Sequence, residues 1–198
     1  MKSVSTICRM ANDGWIQAGE VALDWYEVAM IEHKRASQAY NVDFVDLVAF
    51  SALASYNASP SMQSSIVARW LEAGTDLPLP NSKQGWDEWI TYERTTLSTS
   101  KAECYRVAMM EGSASDAVVL DRHMLRALGG IRYSSEPRGV NEGYNRATER
   151  CLTAARRLGV SGCQLQALVW YSQVGYGGPG SEGLIDITSR LGVCDAIA

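Results

Sequence analysis

DFVDLVAFSALASY, residues 43–56, places Phe44, Val45, Leu47, Val48, Phe50 and Leu53 in one nearly continuous apolar run. Apolar around most of its girth, it predicts a helix buried at the centre of a core. The flanks agree. Asp24 to Tyr40 carries Trp25, Val28, Ala29, Ile31, Ala36 and Tyr40 close to helical spacing. Downstream, Asn57-Ala58-Ser59-Pro60 breaks the chain, and a helix is predicted from Ser61 to about Ala73, with Met62, Ile66, Trp70 and Leu71 inward and Gly74 as its cap.

Further out the pattern stays helical. Thr75 to Gly85, with Pro78 and Pro80, reads as a loop, and Trp86 to Thr96 as a short helix with Trp86, Trp89 and Ile90 on one side. Ser100 to Gly112 is predicted helical, with Cys104, Val107, Ala108 and Met109 facing a core. A turn at 113–116 leads to the short extended apolar run Ala117-Val118-Val119-Leu120, and Asp121 opens a helix over Arg122–Leu128, stopped by Gly129-Gly130. Residues 131–140 are irregular. Asn141 to Leu158 is a long amphipathic helix ended by Gly159, and Ser161 with Gln164 forms a capping box for a helix to about Val174. Val174 to Gly183 is glycine-rich, and a last short helix is predicted near 184–191. No strand alternation outlasts residues 117–120, so the fold class is all-α, and the 198 residues suit a single domain, 1–198.

Composition excludes several classes. A chain 46% hydrophobic and 20% charged is neither disordered nor a fibrous rod. No stretch approaches the ~18 apolar residues of a membrane span; Leu47–Ala54 is about half that length. The start, MKSVSTICRMANDGW, has no apolar core of a secretory signal. Five cysteines, Cys8, Cys104, Cys151, Cys163 and Cys194, lie far apart and are odd in number, so a disulfide framework is not expected and a reducing cytoplasm is the simplest location. With His33 and His123 far apart, neither a metal site nor a cofactor is expected.

Net charge is −4, which excludes a strongly basic nucleic-acid binder at the level of the whole chain. The charge is segregated, however: net −6 over residues 1–93, +4 over 94–157 and −2 over 158–198. A basic segment of this kind either attracts phosphates or solvates helix faces.

Two ionisable residues stand out. Lys101 starts a helix, where the positive helix end would lower the pKa of a buried amine, as a nucleophile requires; the plainer role is a solvated first-turn lysine. Asp121 follows four apolar residues at a helix start, where a carboxylate can orient or deprotonate a nucleophile or simply cap the helix. The glycine-rich stretch VGYGGPGSEG, 174–183, follows a helix and not a strand, so it lacks the context of a dinucleotide loop.

KAECYRVAMMEGSASDAVVLDRHMLRAL, residues 101–128, resembles the core of the helix-hairpin-helix DNA glycosylase superfamily. In that family a helix, begun in some members by a catalytic Lys, leads through a short apolar stretch to an Asp in a D-x-H/N-x-x-R motif, which here reads Asp121-Arg122-His123-Met124-Leu125-Arg126. The separation of Lys101 and Asp121 is similar to the family's. VAFSALASYNASPSMQSSIVARWLEAG resembles its early helix, turn and helix, and Tyr144 to Gln173 resembles phage-encoded proteins that share this core. The resemblance covers about 43–173.

The resemblance implies a protein that binds DNA and acts on a flipped-out base or its sugar. Lys101 would attack the sugar and Asp121 would activate it or stabilise the cationic sugar. The family's hairpin glycines are replaced by Thr96-Leu97-Ser98-Thr99-Ser100, so Ser98, Ser100 and the helix N-terminus are the implied phosphate holders. Arg122 and Arg126 would neutralise phosphate, and His123 would be a supporting donor or a structural histidine. Tyr56, Trp89 or Tyr105 would stack on the base or pack a core. Two alternatives accompany this reading. One is a phage DNA base-modification transferase that uses Asp121 without Lys101. The other is a non-catalytic binding or inhibitor module with a protein partner. The implied location is the cytoplasm, the host's if the chain is phage-encoded. Oligomeric state is not legible in the sequence.

Overall fold

A computed structural model describes residues 1–55, 58, 60–73, 83–91, 97, 100–129 and 142–174. Ten α-helices and no strand are found among them: α1 (Val4–Ala18), α2 (Glu20–Leu23), α3 (Trp25–Tyr40), α4 (Phe44–Ala54), α5 (Pro60–Ala73), α6 (Lys83–Thr91), α7 (Ser100–Glu111), α8 (Arg122–Ala127), α9 (Glu142–Leu158) and α10 (Gly162–Val174). The all-α expectation holds for these residues. None of the helices is long and apolar enough to cross a membrane.

Local chemistry sets the boundaries. Ser3 caps α1, accepting from the Thr6 N–H, and α1 stops at Gly19, whose φ of 54° suits a residue without a Cβ. Asp43 caps α4 by accepting from the Val45 and Asp46 N–H groups. The capping box at α10 forms in both directions: Gln164 N–H donates to Ser161 Oγ, and Ser161 N–H donates to Gln164 Oε1.

The side chains gather in two cores. α3 to α7 enclose the first, with Leu47, Val48, Phe50, Val67, Trp70, Trp89 and Met109. α4 is buried from Leu47 to Ala54, as its all-round apolar sequence requires. α1, α8, α9 and α10 enclose the second, with Ile7, Ala11, Met124, Leu125, Leu128, Cys151, Leu165 and Leu168. α1 lies against α10 so closely that a Cβ on Gly14 would collide with the Leu168 carbonyl. The ordered core therefore begins well before residue 43.

Between the cores runs the extended stretch 115–120. Its side chains alternate, as extended backbone demands: Ala117 and Val119 pack into the first core, Val118 and Leu120 into the second. Its start is clamped to the head of α10, where Cys163 N–H donates to Ser115 O and Gly162 N–H to Asp116 Oδ1. Trp25 packs against both cores.

Several sequence expectations are corrected. Residues 4–18 are helical although no helix was expected there; small inward residues (Ala11, Gly14) let α1 approach α10 with little hydrophobic signal of its own. In α3 the buried stripe is Tyr26, Ala29, His33 and Ala36, while Val28 and Ile31 are exposed. In α5, Met62 is exposed and polar Gln63 and Ser64 turn inward, beside Val67 and Trp70. α6 starts at Lys83, inside the expected loop, and its Ile90 is exposed. In α7, Cys104 and Val107 are only half-buried. The turn after it is a 3-10 turn, Gly112–Ala114. The loop at 75–82, the caps Gly74 and Asn141, the irregular 131–140, and the glycine-rich stretch and last helix beyond Val174 lie outside the described residues.

Candidate functional site

Asp121 stands where the extended stretch leaves the seam between the two cores. Its backbone is extended, with ψ near 180°, and its Oδ1 accepts from the Met124 N–H at 2.7 Å, capping α8. Among the described residues Oδ2 has no hydrogen-bond partner. The carboxylate is half-buried. It is thus held by one oxygen and open at the other.

Lys101 stands in the first turn of α7, half-buried, and its Nζ donates to the Ser55 carbonyl at 3.1 Å. That carbonyl lies at the C-terminal end of α4, where a cation meets the negative helix end. Lys101 therefore joins the start of α7 to the end of α4.

A ladder of buried polar side chains runs from α4, α5 and α7 to α3 and α10. One turn along α7 from Lys101, Tyr105 accepts from Gln63 Nε2 at 2.9 Å. The same Nε2 donates to the carbonyl and the hydroxyl of Ser51, one turn of α4 before Ser55. The Tyr105 ring meets that of Tyr26 edge-on at 6.3 Å, and the Tyr26 hydroxyl donates to Gln166 Oε1 at 2.6 Å. Burial above all pushes the Tyr26 phenol up, with Tyr105, Cys163 and the Asp121 carboxylate adding to it. Burial likewise raises Tyr105. Both stay protonated across the physiological range. Trp25, Trp170 and Tyr171 wall the ladder with ring centroids 4.9–5.4 Å apart.

The remaining expected residues divide. His123 and Arg126 are exposed on α8, on the helix that Asp121 caps. Ser98, Tyr56 and the side chains of Ser100 and Arg122 lie outside what is described. Trp89 is fully buried, donates to Asp46 Oδ1 and lies under the Arg106 guanidinium, so it packs the first core and is not open to a base. The segment before α7 has a buried anchor: Glu103 accepts from the Leu97 N–H and, in a fork, from Arg106. The basic segment is partly spent inside the protein, since Arg106 is held there and Arg150 donates to the Lys2 carbonyl. Arg126, Arg156 and Arg157 remain at the surface.

Sequence reasoning missed Tyr26, Ser51, Gln63 and Gln166. A signal existed for the glutamines: each occupies an inward register in its helix, Gln63 with Val67 and Trp70, Gln166 with Cys163 and Trp170. A polar residue at a core position implies a partner. Among the described residues no group of three His, Cys, Asp or Glu could hold a metal ion. No family model, no curated protein and no solved structure matches this chain.

Proposed function

We propose that this chain binds DNA and acts on a flipped-out base or its sugar at the seam between its two cores, with Asp121 as the working carboxylate. One observation carries the reading: Asp121 follows the extended stretch between the two cores, is fixed through Oδ1 and open at Oδ2, and its charge reaches Tyr26 in a buried ladder of polar groups and aromatic rings. A rigid carboxylate with one unpaired oxygen can take a proton or stabilise a cationic sugar. Aromatic walls suit a base taken out of its stack. Arg126 and His123 are exposed on α8, each one residue from an inward side chain (Leu125 and Met124), and would be free to meet a phosphate backbone.

The Lys101–Ser55 contact favours the form of this reading that does not use an amine nucleophile, because it gives Lys101 a place at a helix end. On that form the protein modifies or transfers a group to the base, and Asp121 alone serves the chemistry.

Borohydride trapping on a duplex with one abasic site tests both forms. Wild type, Lys101→Ala and Asp121→Asn are compared, with binding to the same duplex followed by fluorescence anisotropy. Binding without a covalent adduct supports base modification. An adduct lost in Lys101→Ala supports a lyase. Absence of DNA binding by the folded protein sinks the proposal and leaves a non-catalytic module. Asp121→Asn retains a capping side chain and is expected to keep stability within about 1 kcal/mol of wild type, while abolishing processing of any DNA substrate.

A further inference from the structure

Charge divides the molecule along the same line as its two cores. α1, α8, α9 and α10 carry seven basic and three acidic side chains, net +4, whereas α3 to α7 carry six and eight, net −2, on a chain of net −4. All seven basic residues of the positive lobe are arginines. An arginine fork fits a phosphate with two bonds, where a lysine offers only a point charge. On α9 the arginines fall in line. Arg146, Arg150 and Arg157 stand at i, i+4 and i+11 and share one strip of the helix, beside the face that buries Ala147, Cys151 and Ala154. Arg146 and Arg157 are exposed and Arg150 is half-buried. The strip is about 16 Å long, at ~1.5 Å per residue. Arg150 also ties it to α8. Its guanidinium donates to the Lys2 carbonyl at 2.8 Å, and the Lys2 N–H donates at 2.7 Å to the carbonyl of Leu128, which ends the helix carrying Arg126. Asp121 caps the other end of α8, about 10 Å away along its axis. Among the described residues no large hydrophobic side chain is exposed on α8 or α9.

We infer that this strip of α9, with Arg126 of α8, is a track for the phosphate backbone of duplex DNA, laid so that the duplex passes over α8 and the Asp121 end of it. The inference rests on the reading above that the chain binds DNA. A duplex carries one charge about every 1.7 Å of its axis, so a row of arginines ~16 Å long meets several phosphates at once and releases their counterions. The attraction is local, which is how a chain of net −4 can hold a polyanion, and the acidic surplus of α3 to α7 turns the duplex to one side. A protein partner would be met by apolar side chains in the middle of the patch, and a membrane by a row of them; α8 and α9 expose neither.

The test uses a labelled, unmodified duplex two helical turns long. Its affinity is read by anisotropy across a salt series for the full chain, for the double variant Arg146→Ala/Arg157→Ala, and for Lys34→Ala/Arg35→Ala, which removes the same charge from exposed side chains of α3. Circular dichroism checks that each is folded, and Arg126→Ala on α8 serves in place of the first double variant should that one fail. The strip variant is expected to bind about tenfold more weakly at low salt, with the slope of log affinity against log salt reduced by about two. The α3 variant is expected to stay within about twofold of wild type. Wild-type binding that the strip variant retains in full overturns the inference and leaves the DNA reading standing. An equal loss in the α3 variant shows that net charge alone is at work and also overturns it. Displacement of the duplex by poly-glutamate at equal charge concentration overturns it in favour of an acidic protein partner. Absence of wild-type binding at low salt overturns both.

Discussion

The core enclosed by α1, α8, α9 and α10 buries side chains that are almost all apolar, whereas the core of α3 to α7 buries His33, Ser51, Ser55, Gln63, Ser64 and Glu103 among its hydrophobic residues. The first kind of packing is governed by shape: Gly14 against the Leu168 backbone, alanines at 11, 147, 154 and 155, and little to satisfy but contact. The second is governed by hydrogen bonds as well, since every enclosed polar atom costs stability unless it is matched. Of the buried polar atoms without a partner among the described residues, Trp70 Nε1 and His33 Nε2 lie within the polar core and Trp25 Nε1 at the border between the two. The contrast teaches that one lobe is fixed by shape alone, while the other is fixed by shape and hydrogen bonding together.

The contrast can be broken from either side. The largest effect is expected from Gly14→Val, which forces α1 off α10 where backbone meets side chain; the loss should be about 3 kcal/mol or more, read from the urea midpoint. Because the collision is with backbone, a repacked side chain cannot relieve it.

In the polar core, His33 gives a comparable effect only in acid. Its Nδ1 lies 2.7 Å from the Ala29 carbonyl and its Nε2 is buried without a partner among the described residues. Burial lowers its pKa from 6.5 to about 4. The unfolded chain therefore takes up the proton first. The stability held by neutral His33 is complete above about pH 6.5 and erodes as pH falls towards about 4, below which both states are charged and nothing further is lost. The expected loss between these limits is on the order of 3 kcal/mol. Denaturation of wild type and His33→Leu at pH 7 and pH 4.5 checks it: the acid loss should be much smaller in the variant.

The smallest effect tests the clamp between the cores. Ser161→Ala removes the cap of α10 and the bond from Ser161 Oγ to the Ser113 carbonyl. A fall of about 1–2 kcal/mol in stability is expected, measured by thermal melting.

Much of the architecture was legible. α4 was readable because its apolar run leaves no exposed face, α10 because the Ser161–Gln164 box marks its start, and the break before α8 because Asp121 follows an extended apolar run. α1 was not, because helices that pack through glycine and alanine show few large apolar residues, and Trp15 and Ile16, the large ones at its end, point outward. In the candidate site the sequence showed Lys101 and Asp121 as charged residues at helix starts. It did not show what each is bonded to, since the partners Ser55 and Met124 are respectively 46 and 3 positions away, and only the second lies in capping range. The ladder was hidden for the same reason: Tyr26 and Gln166 are 140 residues apart, and nothing local pairs them.

The placement of α1 beside α10 also bears on the order in which the molecule is made. The first core draws nearly all its residues from 26 to 119, a contiguous stretch that can collapse while synthesis continues. The second needs Ile7 and Ala11 from one end and Leu165 to Tyr171 from the other. Until α10 leaves the ribosome, the inner face of α1 has no lasting partner, and a long loop must close before it gains one. The late lobe is thus the one exposed to chaperones and proteases during synthesis, and Asp121 acquires its place only when that lobe closes.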